Sequence, residues 1–177
     1  GEPKGVMLSH ANLVSNVKGG AQVLQLTEQD VALSFLPLSH SFERTVSYIY
    51  LLSGVRVVFA ESFDTIGRDL AQVRPTLVTG VPRVFEKLNG RIMDKGKAEG
   101  GFKSVIFSWA VGAGTARGEA ALRGRSVGVL RSLQASVADH LVFAKIRDGL
   151  GGRIRYLVSG SAPLPASIAE FFHGIGL

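Results

Sequence analysis

Along the chain, short apolar runs alternate with amphipathic segments. Leu13, Val14, Val17, Ala21 and Leu24 recur at helical spacing after Ser9-His10-Ala11-Asn12, where Ser9 or Asn12 would supply the N-cap. Thr27 to Asp30 reads as a turn. Val31 to Leu36 is an apolar run closed by Pro37, the mark of a buried strand. A helix is predicted over 39–53, with Val46, Ile49, Tyr50 and Leu52 apolar and Gly54 placed to end it. Residues 55–60 are rich in β-formers, 63–73 suggest a short helix, and 75–80 another buried strand. Pro82 suits the first turn of a helix running to about Asn89 or beyond. Residues 94–102 are polar and glycine-bearing and predict a loop. Two helices are predicted over 102–122 and 125–149, separated by Gly124. Phe102, Ile106, Trp109 and Ala113 share one face of the first, read as core. Residues 153–158 alternate like a strand, Gly160 to Pro163 form a turn, and Pro165 opens a last helix. Strands alternating with helices predict an α/β fold with a mostly parallel sheet and flanking helices.

The chain has 177 residues, the length of about one domain. Hydrophobic residues at 46% and charged residues at 19% exclude an intrinsically disordered chain. With no cysteine, disulfides, zinc–thiolate sites and a cysteine nucleophile are all excluded. A reducing cytoplasm fits that composition, and the polar N-terminus carries no secretory h-region. The formal net charge is +6. It is not spread evenly: residues 87–131 carry nine Lys and Arg against three Asp and Glu, which accounts for the whole surplus. The charge-free window between Lys103 and Arg117 holds 13 residues, whereas a spanning helix needs about 20. A basic stretch of this kind has two readings, a solvated pair of helices or a peripheral contact with an anionic membrane surface. The chain opens on Gly1 in what reads as the middle of a glycine-rich loop and closes on an apolar stretch. The expectation is a piece of a longer protein.

Three segments could carry chemistry. In Gly1-Glu2-Pro3-Lys4-Gly5-Val6-Met7-Leu8-Ser9-His10, glycines let backbone N–H groups approach an anion and Lys4 adds a point charge. The same residues also make a plain surface turn before a helix. Leu36-Pro37-Leu38-Ser39-His40-Ser41-Phe42-Glu43-Arg44 follows a predicted buried strand, where parallel sheets bind ligands. There His40 could hydrogen-bond a carboxylate or phosphate and Phe42 could wall an apolar pocket. Alternatively, a neighbouring carbonyl satisfies His40, while Glu43 and Arg44 pair with nearby charges. In Tyr156-Leu157-Val158-Ser159-Gly160-Ser161-Ala162-Pro163, small residues after a strand would let a flat ring lie against the backbone, or simply make a tight turn.

Other constellations are missing. The sequence has no HExxH, no GxSxG, no GxGxxG after a strand and no paired carboxylates. Its four histidines lack ligand spacing, so no protein-ligated metal is expected. The aromatics of the basic stretch, Phe102, Phe107 and Trp109, fall within a helical apolar pattern. They read as core rather than as a base-stacking platform, so nucleic acid is not an expected partner.

Taken together the segments resemble the adenylate-forming (AMP-binding) enzymes, in particular their long-chain fatty acyl-CoA synthetase branch. Pro3 to His10 is similar to the end of that family's phosphate-binding signature. Leu36 to Arg44 resembles the LPLxHxFER segment, Thr79-Gly80-Val81-Pro82-Arg83-Val84-Phe85-Glu86-Lys87 the VPRVxEK segment, and Ser159 to Leu164 the SG-[GAS]-APL turn. The four stand in family order and cover the chain, most vaguely over 94–150.

The resemblance implies a ligase that joins a fatty acid, ATP and coenzyme A in two steps through an acyl-adenylate, with Mg²⁺ accompanying ATP. It implies that Gly1, Lys4 and Gly5 belong to the loop over the β- and γ-phosphates. His40, the implied catalytic residue, would lie near the acyl carboxylate and α-phosphate, and Phe42 beside the acyl tunnel. Gly160, Ser161, Ala162 and Pro163 would line the adenine and acyl-adenylate pocket, with Val81 and Pro82 supporting it. The first half of the phosphate loop, the YGxTE segment and the C-terminal domain are absent. The implied organisation is therefore residues 1–177 as part of the large N-terminal domain, cut at both ends and without turnover alone. Two other readings stand beside this one. One is a sibling ligase for an aryl or amino acid; the other is a non-catalytic peripheral membrane or lipid-binding module.

Overall fold

The computed structural model describes residues 5–177. Four strands, β1 (Val31–Ser34), β2 (Arg56–Phe59), β3 (Leu77–Gly80) and β4 (Tyr156–Ser159), form one parallel sheet in the order β2-β1-β3-β4. The connections are helical. After α1 (His10–Leu24) and β1 comes α2 (Ser41–Leu52); α3 (Ile66–Val73) joins β2 to β3. Between β3 and β4 run α4 (Pro82–Ala98), α5 (Gly101–Leu122), α6 (Val129–Ala138), a π-helical turn (Asp139–Phe143) and α7 (Ala144–Gly149). The last element is α8 (Ala166–Gly174).

Burial explains the central strands. Every residue of β1 and β3 is buried, and their apolar side chains pack on both faces of the sheet. Ala32 and Leu77 face Val46 and Tyr50 of α2, whereas Leu33 and Val78 face Ile66 and Leu70 of α3. Fully burying a leucine such as Leu33 or Leu77 contributes about 1.5–3 kcal/mol. One buried polar knot ties the opposite ends of the strands. Asp30, 2% exposed, accepts from Thr76 Oγ1 at 2.7 Å and from Arg155 Nη1 at 2.9 Å. The Thr27 amide donates to the same carboxylate at 3.0 Å. Three segments far apart in sequence thus meet on one charge.

A third cluster lies away from the sheet and holds Phe85, Phe107, Phe143, Phe171 and Phe172. Here α5 and α8 touch backbone to backbone. A Cβ on Gly118 would collide with the Glu170 carbonyl, and one on Gly174 with the Gly114 carbonyl. Arg147 fastens the π-helical turn to the end of this pair, donating from Nη2 to Asp139 at 3.0 Å and from Nη1 to the Ile175 carbonyl at 2.7 Å.

Three expectations are corrected here. Residues 94–98 are not loop: α4 runs to Ala98 and the break is confined to Glu99 and Gly100. Gly96 sits in α4 as a packing position, since the Phe107 ring rests where its side chain would be. The core face of α5 is also not the expected one. Phe107, Ala110, Gly114 and Gly118 are buried, while Phe102 is 78% and Trp109 41% exposed. Close approach to α8 selects small residues over large apolar ones. The predicted helix over 125–149 begins at Val129 and contains the π-helical turn. Of the two N-cap candidates for α1, Ser9 is the cap and Asn12 completes a capping box with it.

Candidate active site

In the order β2-β1-β3-β4 the chain steps outward from β1 to β2, then returns across β1 to β3 and β4. The connections therefore diverge between β1 and β3, and the carboxyl ends of those strands flank the crevice where open parallel sheets take ligands. The segment after β1 carries His40 and Phe42, the segment after β3 is Val81-Pro82, and the segment after β4 is Gly160 to Pro163. Three of the motifs picked out in the sequence lie along this one edge.

Local hydrogen bonds fix the first of them. Pro37 forbids continuation of β1, and the His40 amide donates back to the Pro37 carbonyl at 2.9 Å. His40 is the N-cap of α2, with its Nδ1 accepting from the Phe42 amide at 3.3 Å. With Nδ1 engaged as acceptor, the neutral ring carries its proton on Nε2. The side chain is exposed, so Nε2–H is available to an anionic oxygen. The alternative reading, in which Arg44 pairs with a nearby charge, does not hold, since it makes no ion pair among the described residues. Its Nε donates to the Leu38 carbonyl at 3.2 Å and braces the loop.

Phe42 reaches across to the third motif. A Cβ on Gly160 would lie 2.7 Å from Phe42 Cδ2, and closer still to Cε2 and Cζ. The ring thus lies directly on the Gly160 backbone, and only glycine permits that contact. Gly160 extends the sheet by donating its amide to the Gly80 carbonyl at 3.1 Å. The next residue, Ser161, has φ +71°, a left-handed conformation costing about 1–2 kcal/mol for a residue with a side chain. Strain of this kind concentrates at ligand-binding turns. Ser161, Ala162 and Pro163 are exposed, Val81 is half-buried as the N-cap of α4, and Pro82 is buried at its first position. Gly5 is exposed ahead of α1, whereas Gly1 and Lys4 lie outside the described residues.

Beneath the crevice lies a polar group that the sequence reading missed. Glu43, for which pairing with a nearby charge was the alternative reading, is fully buried. Its Oε1 accepts from Ser34 Oγ, at the end of β1, at 2.5 Å; Oε2 has no hydrogen-bond partner among the described residues. Beside it the Tyr50 hydroxyl and Thr79 Oγ1 are 3.0 Å apart, both fully buried. Burial raises the Glu43 carboxyl above the ordinary carboxylate range, and the Ser34 donor only partly offsets this. Burial likewise pushes the Tyr50 phenol up, with Thr79 opposing and the Glu43 charge adding to the rise. The signal in the sequence was spacing. Glu43, Val46 and Tyr50 stand at i, i+3 and i+7 of α2, so a glutamate occupies the buried stripe.

Comparison with known proteins accords with this architecture. The family model described as "AMP-binding enzyme" matches residues 1–176. Long chain acyl-CoA synthetase 6, peroxisomal, of Arabidopsis thaliana is 38% identical over 97% of this chain and 23% of its own length. Fatty acyl-CoA synthetase A of Dictyostelium discoideum is 36% identical over 97% of this chain and 24% of its own. Long-chain-fatty-acid–CoA ligase 1 of Cavia porcellus is 33% identical over 97% and 24%. The chain thus spans about a quarter of the length of these relatives. No solved structure matches it. With the family model covering all but its last residue, this chain belongs to the AMP-binding enzyme family.

Proposed function

We propose that this chain is part of the adenylating domain of an AMP-forming long-chain fatty-acid–CoA ligase, within a longer protein that supplies the rest of the site. In the first step a fatty acid carboxylate attacks the α-phosphorus of ATP and pyrophosphate leaves. In the second, the thiol of coenzyme A attacks the acyl carbonyl and AMP leaves. The observation that carries the reading is the meeting of His40, Phe42 and Gly160 along the carboxyl edge of a parallel sheet, at its switch point. The names of the relatives support the choice of a long-chain substrate over an aryl or amino acid, as does Phe42-Glu43-Arg44.

Each residue then has a role. His40 Nε2–H donates to an oxygen of the carboxylate or α-phosphate and stabilises charge that grows in the transition state. Phe42 forms an apolar wall beside the acyl chain. Gly160, Ser161, Ala162 and Pro163 offer the adenine ring a flat backbone surface, with Val81 and Pro82 behind it. Gly1, Lys4 and Gly5 contribute to the loop over the β- and γ-phosphates. No group of three or more His, Asp or Glu side chains converges among the described residues. These residues supply no cage for Mg²⁺, which would arrive with ATP and offset charge on its phosphates.

The setting proposed is cytoplasmic, with peripheral contact to an anionic membrane. No helix among the described residues is long and apolar enough to cross a bilayer. Instead Phe102, Trp109, Leu130 and Leu133 stand exposed on α5 and α6, in the stretch that also carries Lys103, Arg123, Arg125 and Arg131. Charge reversal of Lys95, Lys97, Arg123 and Arg125 in the full-length protein should weaken sedimentation with anionic liposomes; unchanged binding would remove this part of the proposal. The activity is tested by ATP–pyrophosphate exchange with palmitate on the full-length protein and on His40→Ala, which should lose about 10²–10³-fold in rate, the usual cost of deleting such a donor. Palmitate-independent exchange, or full activity in the variant, would refute it. The isolated 177-residue chain should show no exchange.

A further inference from the structure

Three observations about Glu43 need a common explanation. It is fully buried at the foot of the crevice, and one carboxyl oxygen is held by Ser34 at the end of β1. Its other oxygen has no partner among the described residues. It also stands in the first turn of α2, three residues after the N-cap His40.

We propose that Glu43 is a positioning residue whose buried carboxylic acid seats the first turn of α2 on β1, so that His40 and the amide end of that helix meet an anionic carboxylate or phosphate with no competing negative charge beside them. This inference rests on the adenylation reading above and adds to it a determinant of anion binding.

The surroundings leave the carboxyl without a counter-charge. The ionisable side chains of α2 are Glu43, Arg44, Tyr48 and Tyr50, with His40 as its N-cap; Tyr48 is exposed. Arg44 is directed to the Leu38 carbonyl, and the Tyr50 hydroxyl is engaged with Thr79. From β1 it meets Ser34, and β3 contributes Thr79. α1 packs on α2 through Gly20 and Ile49, and its ionisable residues, His10 and Lys18, are exposed. No Lys, Arg or His nitrogen lies within salt-bridge distance of Glu43 among the described residues. Burial without a cation favours the neutral acid, against the pull of the α2 N-terminus, which favours the ionised one. A neutral acid still takes the Ser34 hydrogen bond, which closes the loop from Ser34 to His40 at both ends. An ionised Glu43 would set a negative charge close to the one that His40 must receive, and would cancel the positive helix terminus.

The test uses the full-length protein and ATP–pyrophosphate exchange with palmitate, followed from the ordinary carboxylate range upward over every pH at which the protein stays folded. Glu43→Gln keeps shape and the Ser34 contact but cannot ionise. If Glu43 works as the neutral acid, the palmitate KM of the wild type should rise by at least about threefold from the acid to the alkaline end of the range in which the protein stays folded, and a wild-type KM as flat as that of Glu43→Gln would overturn the proposal. That of Glu43→Gln should stay flat, with kcat largely preserved. Glu43→Ala and Ser34→Ala should lower kcat through loss of the seat; thermal melting separates this from unfolding. An equal pH rise of KM in the wild type and Glu43→Gln would overturn the proposal. So would a natively melting Glu43→Gln as impaired as Glu43→Ala, since the ionised form would then be the working one. A wild type without palmitate-dependent exchange would instead refute the adenylation reading, so the two failures are distinct.

Discussion

The contact between Phe42 and Gly160 joins two segments that are 118 positions apart in the sequence, and it can be broken by a single methyl group. In Gly160→Ala the new carbon would stand 2.7 Å from Phe42 Cδ2 and nearer to two other ring atoms. Ordinary contact begins at 3.4 Å, so the ring must retreat by at least 0.7 Å even from the most distant of the three. Gly160 does not have positive φ, so alanine brings no backbone strain and the steric effect stands alone. Overpacking of this kind costs about 1–3 kcal/mol. If the displaced ring intrudes on the bound acyl-adenylate, the cost falls on the transition state. At about 1.4 kcal/mol per tenfold it then lowers kcat/KM by roughly 5- to 150-fold.

A double-mutant cycle isolates the contact. Phe42→Ala alone should cost about 2 kcal/mol, because the ring is only half-buried and the full penalty for a core phenylalanine is about 3–5 kcal/mol. In the Phe42→Ala background the clash partner is gone, so Gly160→Ala should be almost silent, with a coupling of about 1–3 kcal/mol between the two changes. The assay is palmitate-dependent ATP–pyrophosphate exchange by the full-length protein, with thermal melting recorded for all four forms. Additive losses would show that Gly160→Ala acts through something other than the Phe42 ring, and would refute this account of the clash.

Two further substitutions and one titration probe the scaffold. Gly118→Ala should destabilise by more than about 3 kcal/mol, because the new carbon meets the Glu170 backbone and no side chain can yield; Gly112→Ala, on the same helix with open space around it, should stabilise by up to about 1 kcal/mol. Equal effects in chemical denaturation would mean that α5 and α8 are not in backbone contact. Burial tends to raise the Asp30 carboxyl, but hydrogen bonds from Thr76 and Thr27 and the Arg155 guanidinium together hold it below the usual range. Its folded form therefore binds fewer protons than the unfolded chain near the ordinary aspartate value of about 3.9. The stability it contributes is present above that value and is lost as pH falls through the lower folded value. Asp30→Asn should flatten the acid limb of a stability–pH curve, and an unchanged limb would exclude Asp30 as its source.

How much of this was legible in the sequence depended on whether a residue's type or its neighbours decided its fate. β1 and β3 were legible because a strand buried on both faces must be apolar throughout, and Pro37 and Pro82 punctuate their ends. The edge strands read less sharply. β2 is half-exposed, and β4 begins at Tyr156 rather than Arg153, although the Arg155 amide already donates to the Thr76 carbonyl at 2.7 Å. The three site segments were legible individually, since each is a turn of special residues after a strand. Their convergence was not, because it follows from the order β2-β1-β3-β4, which depends on pairings between distant segments.

The remaining errors share a cause. Hydrophobicity was taken to mark the buried side and charge the exposed side, and at α5 and at Glu43 both assumptions fail. On α5 the buried side is set by distance. Two helices can bring their backbones into contact only where side chains vanish, so Gly114 and Gly118 face α8 while Phe102 and Trp109 remain outside. At Glu43 the buried side is set by the period of α2, which places position 43 in register with Val46 and Tyr50 whatever residue stands there. Placing a carboxyl in that stripe lowers stability unless it is neutral and hydrogen-bonded, and Ser34 meets only half of that need. A scaffold that only had to pack would do better with leucine at position 43. The proposed seating of α2 beside His40 would account for a glutamate there in place of a leucine.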